Sequence, residues 1–333
     1  MAAGCRGPAG GPSVSSEVGV RPAYAERAAA TITADELAER VGIIAHDSMM
    51  GRATPSRGLD LTAEWVAAEF RRMGLRGGAQ DGGFVQRYPL ATAGEQEITA
   101  PNVVGVLEGS DPVLSREHVV LSAHMDHIGV GSPDERGDSI FNGADDNASG
   151  TVAIVGVAQA MASLPTPPRR SVIFLLVSGE EGGLWGSDWY ARNPTVPVEA
   201  LVANVNADMV GRNWRDTIVA IGQEHSDLGE TLVRVSGEHP EVGMTVIDDL
   251  WPEENFYFRS DHFNFARRGV PALFIFNGTH DDYHGRDDEP DRIDAEKASR
   301  IARLIFHLAL EIAEATRPPA WDAESRRRIV TPG

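Results

Sequence analysis

Residues 141–150, FNGADDNASG, set Asp145 and Asp146 side by side among small and polar neighbours, with no lysine or arginine beside them. Asp, Asn and Gly in such a run fit a solvated turn. They equally fit a cation held by the carboxylates. Four other polar clusters bear on the choice: His124-Met125-Asp126-His127, Glu180-Glu181, Asp208, and Asp281-Asp282-Tyr283-His284. Each is ordinary alone, since a His-x-Asp is frequent and paired glutamates suit a helix start. Together they form a coordination set, because each follows an apolar run.

Two histidines and three carboxylates, His124, His284, Asp145, Glu181 and Asp208, are the ligand mixture that suits Zn²⁺. A carboxylate between two ions can bridge them at roughly 3.5–4 Å. Asp145 is expected in that bridging place, with the two cations offsetting the crowded charge. Asp126 would orient His124 through its other ring nitrogen. Glu180, beside Glu181, is the expected general base acting on a bound water.

The clusters need elements to bring them together. VVLSAH, SVIFLLVS, LVANVNAD and PALFIFN read as strands, and each runs into one of the polar clusters. Continuous apolar runs of this kind belong to strands covered on both faces. NVVGVLEG, TIVAIG and MTVIDD read as further strands. Helices are expected over TADELAERVGIIAHD, capped by Thr33, and over LTAEWVAAEFRRMGL, with Trp65, Val66, Phe70 and Met73 buried. Others are expected over 149–163, 226–237, 261–268 and 294–316. The alternation predicts a three-layer α/β/α sandwich around a mixed, mostly parallel sheet. Open sheets of that type bind ligands beyond the carboxyl ends of their strands.

The 333 residues carry a net charge of −19, which argues against a nucleic-acid partner. No run approaches the length of apolar sequence that spans a membrane. The single cysteine, Cys5, excludes an internal disulfide framework. Ala3-Gly4-Cys5 ahead of a Gly/Pro/Ser-rich tether is similar to the remnant of a bacterial lipoprotein signal, so an exported or lipid-anchored protein is the expectation. Residues 1–30 are expected to be a flexible leader, 31–317 one folded domain, and 318–333 a tail.

In SAHMDHIG, NGADDNASG, SGEEGGLWGS, NADMVG and HDDYHGRDDEPDRID the sequence resembles the di-zinc aminopeptidases of metallopeptidase family twenty-eight. The resemblance implies the zinc exopeptidase fold, with two Zn²⁺ per chain and peptides with a free N-terminus as substrates. It implies His124, Asp145 and Asp208 around one zinc, and Asp145, Glu181 and His284 around the other. It also implies Glu180 as base, Asp126 as the support of His124, a cis peptide between Asp145 and Asp146, and Tyr283 beside the scissile carbonyl. The rival enzymes are a glutaminyl cyclase-like acyltransferase on the same fold and a co-catalytic carboxypeptidase or dipeptidase; a non-enzymatic binding module is a further alternative. A lid domain of the kind such carboxypeptidases carry finds no room between Asp208 and His284.

His127 and His280 are read as supporting residues rather than ligands. Ser260-Asp261-His262 cannot form a serine triad, because three adjacent residues do not face one another in that geometry. That segment is read as a helix start supporting the site. Trp251, Phe256, Phe258 and Phe263 are read as core, with an apolar side-chain pocket as the alternative. Asp287-Asp288-Glu289 could be solvated or could hold a further cation.

Overall fold

The computed structural model describes residues 23–93 and 96–331. Its helices are α1 (Ala23–Ala29), α2 (Ala34–Ile44), α3 (Arg57–Arg72), α4 (Gly150–Ala162), α5 (Trp185–Arg192), α6 (Leu228–Glu238), α7 (His262–Ala266), α8 (Ala295–Glu314) and α9 (Ala323–Ile329). Its strands are β1 (Arg76–Gly77), β2 (Val85–Ala93), β3 (Gln96–Leu107), β4 (His118–His124), β5 (Gly129–Val130), β6 (Ile140–Phe141), β7 (Ser171–Val177), β8 (Leu201–Asp208), β9 (Thr217–Ile221), β10 (Thr245–Ile247) and β11 (Ala272–Phe276).

The main sheet has the order β1-β3-β7-β4-β8-β11-β9-β10, with β2 pairing on β3. Strands β7, β4, β8 and β11 run parallel at its centre. The margins turn antiparallel at β3 against β7 and at β9 against β11. The sheet is therefore mixed, and the expected parallel character belongs to the four central strands. These four end on the same edge, which is what collects their polar ends.

Alternation along a strand distributes its side chains between two layers. In β7, Val172, Phe174 and Leu176 join the cluster under α2, α3, α4, α6 and α8. Ile173, Leu175 and Val177 pack the other way, with Tyr190 of α5 and Phe265 of α7. All six are fully buried, and each stabilises the fold by about 1.5–3 kcal/mol relative to exposure. This two-sided burial makes the three layers.

The helix cap expected at Thr33 is present, and the structure adds one at Ser56. The Thr33 side chain accepts from the Glu36 backbone N–H, and Ser56 does the same for Leu59 at the start of α3. In α3, Val66 and Phe70 are buried, while Trp65 and Met73 are only partly so. Strand β2 is absent from the strands expected by sequence; it carries Pro89, which an edge strand tolerates because no ladder hydrogen bond is needed from that position.

Two described segments differ from the expected boundaries, and the rest of the expected leader, residues 1–22, lies outside the described residues. Helix α1 lies inside the stretch expected to be leader, yet Ala25, Ala28 and Ala29 are buried in the main core. Helix α9 lies inside the expected tail, and its Ile329 packs with Tyr257 and Phe274. Cys5 falls outside the described residues. Among the described residues, no helix is long and apolar enough to cross a membrane.

Candidate active site

The loops that follow β4, β7, β8 and β11 meet the loop before α4 over the carboxyl edge of the sheet. His124 closes β4, fully buried, with Nε2 3.2 Å from Asp208 Oδ1 and 3.4 Å from Asp146 Oδ1. Its Nδ1 lies 3.3 Å from the Asp126 carbonyl and 3.7 Å from Asp126 Oδ1. Asp126 is held in turn by the Thr54 hydroxyl at 3.0 Å, and its other oxygen accepts from the Glu180 backbone N–H at 3.3 Å. Asp126 thus positions the His124 ring through its backbone carbonyl and the peptide carrying Glu180 through its carboxylate. Ser260 donates to Asp208 Oδ2 at 3.1 Å, which orients that carboxylate.

The second half of the cluster surrounds Glu181. His284 Nε2 is 3.1 Å from both Asp146 Oδ2 and Glu181 Oε2. His127 Nδ1 is 2.8 Å from Glu181 Oε1 and 3.7 Å from Asp146 Oδ2. Neither Glu181 Oε1 nor the ring nitrogens of His127 have hydrogen-bond geometry despite this approach. His124, Asp146 and Asp208 each offer a donor atom within 4.8 Å of the others, and so do His127, Asp146 and Glu181. Asp146 belongs to both groups, one oxygen facing each.

The place expected for Asp145 is therefore taken by Asp146. Asp145 turns away: its Oδ1 accepts from the Gly211 N–H at 2.6 Å, and its Oδ2 lies 3.3 Å from His280 Nε2. Asp288 accepts from the backbone N–H groups of both Asp145 and Asp146, clamping the segment. The cis peptide is between Asp146 and Asn147, one residue beyond the expected Asp145–Asp146 bond. Gly143 makes the approach possible, with φ at 56° and its α-carbon so close that a Cβ would sit 2.4 Å from the His127 ring. Nothing within ADDN separates the two aspartates by type; the contact that does so, Gly211, is 66 residues away.

The remaining candidates fall into place around this centre. Glu180, Tyr283 and the aromatic rings of Trp251 and Phe256 line a cavity of about 360 Å³ that opens onto His124, Asp146 and Asp208. Phe258 and Phe263 pack on each other at 5.2 Å instead. Tyr283 stacks on His284 at 3.9 Å. Ser260, Asp261 and His262 diverge: Ser260 reaches Asp208, Asp261 is buried at the start of α7, and His262 stacks on Phe274. Asp288 and Glu289 are engaged by the Asp145 and Asn142 amides, and Asp287 by Arg136.

Burial dominates the electrostatics. It holds the Glu180 carboxyl well above the usual carboxylate range, with His124 opposing. It raises Asp146 to about 6. For Glu181 burial also works against ionisation, but His127 and His284 outweigh it and hold the carboxyl below its ordinary range. Burial opposes protonation of His284, whose contacts with Asp146 and Glu181 nevertheless lift it to about 10. Burial likewise opposes protonation of His124, and the charge of Asp208 leads the contributions that raise it well above its usual value. Carboxylates this crowded demand positive charge, and divalent cations supply it with the nitrogen and oxygen donors present. The residues fit such ions.

Comparison with known proteins identifies the family and the fold. The profile described as Peptidase family M28 matches residues 102–309. A probable leucine aminopeptidase of Arthroderma otae is 26% identical over 260 residues, covering 76% of this chain and 66% of the relative. A probable zinc metalloprotease of Leptosphaeria maculans is 32% identical over 165 residues, covering 48% of this chain and 36% of the relative. The chain thus spans two thirds or less of the length of these curated relatives. Among solved structures, the LapA aminopeptidase of Legionella pneumophila superposes with a TM-score of 0.69 at 22% identity, covering 89% of this chain and 76% of that one. BSAP, a zinc aminopeptidase from Bacillus subtilis, superposes with a TM-score of 0.68 at 13% identity, covering 86% and 97%. At these identities the superpositions establish the shared fold.

Proposed function

The chain belongs to peptidase family M28, and on that premise we propose that it is a zinc-dependent aminopeptidase that removes N-terminal residues from peptides. The observation that carries the reading is Asp146, whose two oxygens face two separate donor groups. His124, Asp146 and Asp208 would hold one ion; Asp146, Glu181 and His284 would hold the other, with His127 supporting Glu181. Zinc at such a site lowers the pKa of bound water from 15.7 to about 7 and withdraws charge from a carbonyl oxygen.

The chain's own groups then have distinct tasks. Glu180 takes a proton from the attacking water onto its carboxylate and returns it to the amide nitrogen as the C–N bond breaks. Asp126 keeps the His124 ring in one orientation and anchors the Glu180 peptide, so ligand and base stay in register. Tyr283, which lines the cavity, would donate its hydroxyl to the carbonyl oxygen. An acidic crevice favours the cationic α-amine of a peptide N-terminus over an acidic one.

The test is metal content together with hydrolysis of aminoacyl-anilides, for the wild type and for Glu180→Gln. At least two zinc ions per chain, cleavage by the wild type, and an activity loss of about 10²–10⁴ in the variant with its metal retained support the proposal. One ion and no anilide cleavage would redirect the assignment to cyclisation of N-terminal glutamine, assayed on a glutaminyl peptide. Equal activity in Glu180→Gln would remove Glu180 from the role of base.

A further inference from the structure

A second cluster of metal-ligating side chains lies away from the active site. Helix α8 starts beside that site, where the Asp294 N–H donates to the Gly211 carbonyl, and runs to the opposite edge, where the Arg170 N–H donates to Ala313. His307 lies twelve positions past Ala295, about 18 Å along the helix. Its ring stacks on that of His239, which follows α6, with centroids 3.5 Å apart and an interplanar angle of 22°. Both rings are buried, at 3% and 1% exposure. Two exposed carboxylates cover them. His239 Nδ1 is 2.7 Å from Glu241 Oε1 and 3.7 Å from Glu26 Oε1 on α1. One donor atom from each of Glu26, His239, Glu241 and His307 lies within 4.8 Å of the other three.

Ordinary core packing does not account for this arrangement. The His239 Nδ1 faces both carboxylates, while its Nε2 is buried with no hydrogen-bond partner. The two carboxylates arrive from segments far apart in sequence, one on the first described helix and one on the turn after α6. A tetrahedral ion with bonds of about 2.0–2.1 Å spaces its donors roughly 3.3–3.4 Å apart, between the 2.7 and 3.7 Å separations at His239. Two nitrogens with two carboxylate oxygens select a zinc-class ion over calcium or magnesium, which prefer oxygen throughout.

We propose that Glu26, His239, Glu241 and His307 form a structural zinc-class site that pins helix α1 to α6 and α8. It shares no residue with the active site, so it stands or falls separately from the peptidase assignment.

The test uses the full chain and the double variant Glu26→Gln/Glu241→Gln. The two side chains are 46% and 53% exposed, so the change leaves the core intact. After equilibration with zinc and dialysis, the double variant is expected to hold one ion fewer than the wild type. It should lose part of the zinc-dependent rise in Tm, with anilide hydrolysis unchanged. Equal zinc content and an equal rise in Tm would overturn the proposal. Should the double variant fail to fold, anomalous scattering at the zinc edge from wild-type crystals decides: a peak between His239 and His307 supports the site, and its absence refutes it.

Discussion

Asp145 and Asp146 are one residue apart and chemically identical, so exchanging each for asparagine separates the charge that would bind metal from the charge that holds the loop. Asp145 is fully buried and accepts the Gly211 N–H at 2.6 Å. A hydrogen bond to a charged acceptor contributes about 1.5–3 kcal/mol, and asparagine keeps an oxygen but not the charge. At an unfolding entropy of about 2.1 cal/mol/K per residue over the 333-residue chain, that loss lowers Tm by about 2–4 °C. Asp145→Asn should therefore melt earlier yet bind zinc and cleave anilides. Asp146→Asn has the opposite profile. Burial already disfavours its ionised form, so the metal-free variant should be at least as stable as the metal-free wild type. It should lose bound zinc, and its activity should fall by more than the about 10–100-fold that replacing a ligand's hydrogen-bond partner costs. Melting curves, zinc content and kcat/KM on the three proteins give the comparison. If Asp145→Asn lost the metal while Asp146→Asn kept it, the placement of Asp146 between the two groups would be wrong.

Two more outcomes follow from buried groups outside the ligand set. His262, stacked on Phe274 at 4.5 Å and against Tyr257 at 4.9 Å, is pushed down to about 3 by burial. Its folded pKa is depressed below the unfolded value of about 6.5, so its contribution is intact above 6.5 and is lost as pH falls towards 3, by about 1.4 kcal/mol per pH unit. Asp261, raised by burial to about 7, has the opposite slope between about 4 and 7, so the wild-type curve mixes the two. Denaturation of wild type and His262→Phe at pH 7 and pH 5 isolates the histidine: the variant should gain about 2 kcal/mol relative to wild type on acidification, and parallel curves would refute the assignment. Arg52, fully buried, donates to the carbonyls of Ile44, Met125, Asn142 and Gly143. With about 1–3 kcal/mol lost for each buried acceptor left unsatisfied, Arg52→Met should destabilise the fold by at least about 3 kcal/mol in a denaturant titration, and a loss below about 1 kcal/mol would show those carbonyls finding other partners.

The edge of the sheet was legible because burial on two faces leaves a mark in sequence. SVIFLLV and LVANVNAD are apolar through most of their length, and the first polar residue after such a strand must lie where the chain leaves the core. For four parallel neighbours those exits share one edge, so His124, Glu181 and Asp208 could be expected together, and His284 with them, before any contact was known. What stayed hidden depends on contacts distant in sequence. Whether Asp145 or Asp146 faces the ligands is decided by Gly211 and Asp288. His127 reads as a supporting residue, but the group it supports, Glu181 at 2.8 Å, is 54 residues away in the chain. The alanines of α1 carry little periodic signal, because small side chains pack closely without forming a broad apolar stripe. Strand β2 hides behind Pro89 and its irregular pairing with β3. The types of the donors come from the chain locally, while their aim is settled by partners 50 or more residues away, as with Asp126 at the Glu180 N–H and Ser260 at Asp208. A motif therefore identifies an ion's probable neighbourhood better than it identifies the ligand atom. Adjacent carboxylates are where that difference decides the chemistry.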